Sequence, residues 1–212
     1  MQAAIIAKSG DTSHRSGQVN IYGFGNSAWS LINTVDVPPP KDGEVVLNSQ
    51  VAQALHARVG DAVTLWIELP SAVPRDTLLG HKDNDSKEIV LKVSAIAPEQ
   101  SGLSRLGLNP TQSVPRNAFV DLQFLQERLD QEKLRPTRSD PVARPARVNA
   151  LLAPSPQGMG LSHAGKLTEL YNAALREAIQ LEDLNLRLVH DVTLNCEVLE
   201  SEQMILDDKL AA

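Results

Sequence analysis

The run Gly43-Glu44-Val45-Val46-Leu47-Asn48, then Val51-Ala52-Gln53-Ala54-Leu55, then Val59-Gly60-Asp61-Ala62-Val63-Thr64-Leu65, carries the clearest structural instructions in the chain. Glu44 to Leu47 is rich in residues that favour strands. Asn48 or Ser49 can accept a free amide at the start of a helix whose apolar residues Val51, Ala52 and Leu55 share one face. Gly60 breaks that helix, and Asp61 leads into a stretch where Val63, Leu65, Ile67 and Leu69 alternate with Thr64, Trp66 and Glu68, the pattern of a half-buried strand. The three pieces read as strand, helix, strand.

Working outward, Glu88 to Ala97 is a second core strand, apolar enough to be partly covered on both faces. The polar stretch from Pro70 to Ser86 reads as an exposed excursion between the two strands. Ser101 to Pro115 reads as a long irregular loop, and Asn117 to Val120 as a strand, with Asp121 capping a helix that carries Leu122, Leu125 and Leu129. Upstream, Ala3 to Ala7 and Gln18 to Phe24 read as strands, the second ending at Gly23 and Gly25 and followed by a loop. Pro38 to Pro40, and the three prolines and three arginines between Pro136 and Pro145, mark stiff connectors. Beyond them the pattern predicts a strand at Ala146 to Ala153, a long amphipathic helix from Ser162 to about Asp183, and alternating runs at Asn185 to His190, Val192 to Leu199 and Gln203 to Leu206. The expected fold class is α+β, with helices on one side of mixed sheets.

Composition narrows the function. The chain has 212 residues, 42% of them hydrophobic, so it can bury a substantial core. A net charge of −6 leaves no basic surface for a phosphate backbone, and 3% aromatics leave few stacking platforms, so nucleic acid is not an expected partner. Cys196 is the single cysteine; no internal disulfide can form, and the spacing Val192, Leu194, Cys196, Val198 reads it as a small buried hydrophobe. No stretch approaches the ~20 apolar residues of a membrane helix. The chain opens on a strand under way and closes on a helix just starting, so it is expected to be a segment whose missing flanks hold membrane spans.

Reactive constellations are weak. The histidines at 14, 56, 81, 163 and 190 lack metal-ligand spacing, and solvated surface residues are the simpler reading; His56, near Arg58, and His190 are the two outside predicted loops. Asp83 and Asp85 sit two residues apart as in a calcium loop, but the glycine and glutamate such a loop needs fall on Glu88 and Ser94, so a solvated excursion is the reading. Ser101 before Gly102 forms no Gly-x-Ser-x-Gly elbow, and Gly23-x-Gly25 lacks the rest of a nucleotide-binding fingerprint. Glu182 and Asp183 are adjacent on a helix and do not face each other. No catalytic, cofactor-binding or metal-ligating residue is assigned.

The ordered set from Gly43 to Leu65 resembles the extracytoplasmic domain of FtsX-like and macrolide-exporter-type ABC permeases. The resemblance continues through Lys92-Val93-Ser94-Ala95-Ile96 and through Asn117-Ala118-Phe119-Val120 with Leu122 and Leu125. Val19-Asn20-Ile21-Tyr22-Gly23-Phe24 and Arg147-Val148-Asn149-Ala150-Leu151-Leu152 look like the strands that bracket that module, so the likeness covers roughly residues 18 to 153. Pro74-Arg75-Asp76, Leu181-Glu182-Asp183-Leu184 and Leu199-Glu200-Ser201 look like a larger bacterial subgroup extended on its C-terminal side. Gly43, Asn48, Gly60, Asp61 and Phe119 are its motif residues here, and the resemblance gives them structural roles.

The resemblance implies two lobes: an outer α/β lobe from residues 1–42 and 140–212, and a smaller β-rich lobe, 43–139, inserted between them, with the proline-rich connectors at the crossings. It implies a non-catalytic body without cofactors, on the extracytoplasmic side of a bacterial inner membrane. Its partners would be an ATP-binding subunit, reached through membrane helices absent from this segment, and an envelope protein, lipoprotein or exported compound. ATP hydrolysis would belong to the other subunit. A stand-alone small-β-barrel adaptor or peptide-binding module is the alternative, drawn from the Val59-Gly60-Asp61 turn between strands, and an enzyme using acidic pairs is a third class.

Overall fold

A computed structural model of the chain describes residues 2–9, 12–32, 36–68, 86–107, 113–136, 145–152, 164–184 and 186–201. They divide between two compact units, one drawn from residues 1–69 and 84–152, the other from 70–83 and 153–212.

The first unit is a closed barrel. Its strands are β1 (Gln2–Ser9), β2 (Thr12–Phe24), β3 (Glu44–Asn48), β4 (Ala62–Glu68), β5 (Ser86–Ala97) and β6 (Asn117–Asp121), in the cyclic order β1-β2-β6-β3-β5-β4. Pairing is parallel for β2 with β6 and for β3 with β5, and antiparallel elsewhere. The two-lobed α+β arrangement expected from sequence is therefore corrected. Strands from residues 2–24 and from residues 44–121 close one ring, and β1 seals it by pairing with β4, Ala3 opposite Ile67 and Ala7 opposite Val63. Local patterning marks where a strand lies but not which distant strand it joins, which is why the closure was missed.

Alternation explains the filling. Val63, Leu65 and Ile67 of β4 are buried while Trp66 between them is exposed, and Ile5, Val45, Leu47, Leu91 and Val93 join the same interior core. β2 breaks the period because Ala3 pairs with Val19 and Ile5 with Ser16, leaving Gly17 and Gln18 opposite Ala4 alone. Gln18 takes a left-handed conformation (φ 53°) at this bulge, and Ser16 and Val19, three apart, both end up buried.

Helices enter at several places rather than on one side of a sheet. β3 runs directly into α2 (Ser49–Leu55) and β6 directly into α4 (Leu122–Arg128). Since β3 and β6 are antiparallel neighbours, these helices leave the barrel at opposite ends. Each lays apolar side chains into the common core: Val51, Ala52 and Leu55 from α2, and Phe124, Leu125 and the adjoining Leu129 from the α4 end. Val51 and Leu55, fully buried, contribute about 1.5–3 kcal/mol apiece. Two further helices, α1 (Asn26–Ile32) and α3 (Gly102–Arg105), contribute Trp29 and Leu103 to a second cluster with Val46 and Phe119. α1 lies where the sequence reading placed a loop, and α3 interrupts the loop expected from Ser101.

The order reveals an internal repeat. β1-β2-α1-β3-α2 is matched by β4-β5-α3-β6-α4: each half begins with an antiparallel pair, and its second strand runs parallel to the third strand of the other half. The strand-to-helix joints agree in detail. Asn48 and Asp121 sit in extended conformation, and their side chains accept the N–H of Val51 (3.1 Å) and of Phe124 (2.9 Å). Both helices end on left-handed residues, His56 and Asp130, with Ala57 N–H bonded to Ala52 C=O and Gln131 N–H to Gln126 C=O. Ser49–Leu55 and Leu122–Arg128 share little sequence, so the repeat is one of capping and pattern.

In the second unit, α5 (Ala164–Ala178) and a short 3₁₀ turn (Leu181–Leu184) are followed by the hairpin β7 (Leu186–Asp191) and β8 (Cys196–Ser201). The strand expected from Val192 starts late, because the Asp191 carboxylate accepts the N–H groups of Thr193 and Leu194 and bends the chain. Cys196 is exposed, not buried. The strand expected at Ala146 to Ala153 is absent from 145–152, where Val148 and Leu151 are exposed. Gln203 to Leu206, the acidic run Asp83 to Asp85 and nearly all of the Pro70 to Ser86 excursion lie outside the described residues.

Asn48 is fully buried and also donates from Nδ2 to the Pro115 carbonyl (2.7 Å), whereas Asp121 is half-buried. Asn48→Ala is expected to lower unfolding free energy by about 2–3 kcal/mol and Asp121→Ala by about 1 kcal/mol, read from urea unfolding. Equal losses would contradict the double role given to Asn48.

Candidate functional site

The motif residues converge on the walls and joints of the barrel. Gly60 (φ 99°) donates its N–H to the Val93 carbonyl (2.8 Å), and the Asp61 carbonyl accepts the Val93 N–H (2.9 Å). The turn therefore pairs with both backbone groups of one β5 residue along a single edge of the strand. Asp61 also closes the turn, its carboxylate accepting the Arg58 N–H at 2.7 Å. An aspartate following glycine suits this place: glycine adopts the positive φ without a Cβ clash, and the short carboxylate reaches back three residues. Gly43 (φ 74°) makes the matching entry to β3, and its carbonyl accepts the Lys92 N–H at 2.9 Å.

Phe119 is the centre of the second cluster. The chain has three Phe, two Trp and two Tyr, and four of these gather here. Phe119 stacks with Tyr22 (centroids 5.5 Å apart) and Phe24 (6.0 Å), and meets Trp29 edge-on (5.8 Å). Parallel pairing puts Tyr22 directly beside Phe119. Trp29 is buried with its indole N–H on the Val37 carbonyl (2.9 Å), so α1 and the segment after it are tied down together. Partial burial raises the Tyr22 hydroxyl pKa above its ordinary value. Asn117, fully buried, donates to the carbonyls of Leu103 (3.0 Å) and Leu106 (2.8 Å) and accepts from the Asn20 amide (3.3 Å), fastening α3 to β6 and β2. Sequence reading missed this assembly because its members are scattered and each looks ordinary alone. The only local signal was the asparagine at the mouth of a predicted strand.

Of the three described histidines, two come together. His14 and His56 meet, rings 4.4 Å apart; His190 faces Glu197 across the β7–β8 hairpin at 2.9 Å; His81 and His163 lie outside the described residues. The hairpin carries a second cross-strand pair, Arg187 with Glu200 at 2.5 Å. Glu182 and Asp183 share the 3₁₀ turn, where the Asp183 carboxylate accepts the Gln180 N–H (2.9 Å). Among the described residues no three of the His, Cys, Asp and Glu side chains form a metal-sized cluster.

The second unit presents apolar groups outward. Leu170, Tyr171, Leu175 and Ile179, the stripe that made α5 legible in sequence, are each at least 40% exposed, as are Leu188 and Leu199 of the hairpin. A stripe at helical spacing has the form that buries against another surface. No helix among the described residues is long and apolar enough to cross a membrane.

Phe119→Ala is expected to cost about 3–5 kcal/mol. In a Trp66→Phe background it should shift Trp29 emission to the red. An unshifted spectrum with unchanged urea midpoint would show that the aromatic cluster is not packed as described. Compared with protein-family models and with curated proteins, the chain matches none of either.

Proposed function

We propose that this chain is the extracytoplasmic domain of an FtsX-like ABC permease, a non-catalytic body that couples ATP-driven motion of membrane helices to export or to an envelope partner. The observation that carries the proposal is where its motif residues act. Gly43, Gly60, Asp61 and Asn48 each fix a joint between a strand and its neighbour, and Phe119 anchors the outer cluster. A domain moved by distant helices needs this kind of stiffness, because a soft body would absorb displacement instead of transmitting it. Partner contact would fall to exposed apolar groups such as those of α5.

The closed six-stranded barrel also favours the second reading, a stand-alone small-barrel adaptor or peptide-binding module. The two differ in where the chain resides, and Cys196, exposed and the single cysteine of the segment, provides the handle. In intact spheroplasts expressing the complete gene product, a membrane-impermeant maleimide should label this segment without lysis, and Cys196→Ser should abolish that label. The labelled protein should sediment with membranes and co-purify with an ATPase subunit. Labelling only after lysis, or recovery of the protein in the soluble fraction, would overturn the permease reading and leave the adaptor.

A further inference from the structure

β2 and the end of α2, distant in sequence, bring His14 and His56 together with ring centroids 4.4 Å apart and planes tilted by 43°. Both backbones are fixed. His14 pairs with Ala7 in the β1–β2 ladder, and His56 is the left-handed residue (φ 53°, ψ 28°) that ends α2, its N–H bonded to the Ala52 and Gln53 carbonyls. His14 is half-buried and His56 exposed, so the pair is open to water.

We propose that His14 and His56 form a two-histidine site for a divalent ion of the zinc class, which ties β2 to the end of α2. Neutral imidazole suits zinc, nickel and copper, whereas magnesium and calcium take oxygen ligands. The separation of the rings fits. With metal–nitrogen bonds of about 2.0–2.1 Å and ligand–metal–ligand angles of about 90–110°, the two ring centroids lie about 4.5–5.2 Å apart. From 4.4 Å that requires an opening of less than ~1 Å, within reach of small side-chain rotations on an unmoved backbone. Water completes the coordination. The two ligands are brought together by the fold, so the ion binds the folded chain in preference to the unfolded one and raises its stability.

The test uses the 212-residue chain carrying Cys196→Ser, which removes the exposed thiol as a competing ligand. Zinc chloride is expected to raise the thermal midpoint by about 3–6 °C, nickel to act likewise and magnesium to have no effect. His14→Gln and His56→Asn should each abolish the shift; asparagine tolerates the left-handed conformation, so the end of α2 survives. His190→Gln should retain it. No zinc-dependent shift, or a shift kept by both His14→Gln and His56→Asn, overturns the proposal. If either variant unfolds without metal, the imidazole nitrogen resonances of the parent chain decide: those of His14 and His56 should move together as zinc is added, and unmoved signals overturn it.

Discussion

Closure of the barrel rests on one strand that is paired along both edges. β1 bonds to β2 on one side and to β4 on the other, and without it both neighbours would present open edges in the middle of an apolar structure. Closure sets the shape of the core, which collects Ile5, Val19, Val63 and Leu65 from strands far apart in sequence. It also fixes where the helices go. Strands that leave at opposite ends carry α2 and α4 with them, and each helix then meets a rim of apolar side chains that only a complete ring provides.

The two halves solve the same problem with different residues. A strand must hand over to a helix whose first amides lie over a dry core, and an amide or carboxylate side chain at the joint supplies the acceptor: Asn48 in one half, Asp121 in the other. The difference follows burial. Asn48 is fully enclosed and needs a group that also donates, which it does to Pro115, while Asp121 keeps contact with water. The outer cluster around Phe119 sits over the parallel pairings that link the halves, so the second core reinforces the contacts that join the repeat into one body.

Much of this was legible locally. The alternation from Val63 to Ile67 and the caps at Asn48 and Asp121 are short-range signals with one physical solution each, and the structure contains all of them; the helix break expected at Gly60 falls instead on His56, and Gly60 forms the turn into β4. What local pattern could not carry was long-range pairing, and there the two-lobed expectation gave way to a ring. The bulge at Gln18 hid the first part of β2 by breaking its period, and the polar run Ser13 to Gln18 offered nothing in its place. A seven-residue helix at Asn26–Ile32 is too short to show a stripe; it is held by Trp29 reaching Val37. Periodicity did mark α5, but period does not say whether a face is covered. The Gly60–Asp61 turn was visible in sequence as a turn, while its grip on Val93 and the meeting of His14 with His56 exist only once the chain is folded.

The strands β1 to β6 should open and close as one ring, and native-state hydrogen exchange tests this most directly. The amides of β1 that pair with β4 should exchange only through the same global opening that releases β3 and β6, with matching free energies and matching denaturant dependence. Protection of β1 lost through a smaller opening, while β3 to β6 stay protected, would show that the ring is not closed by β1 and would contradict the account.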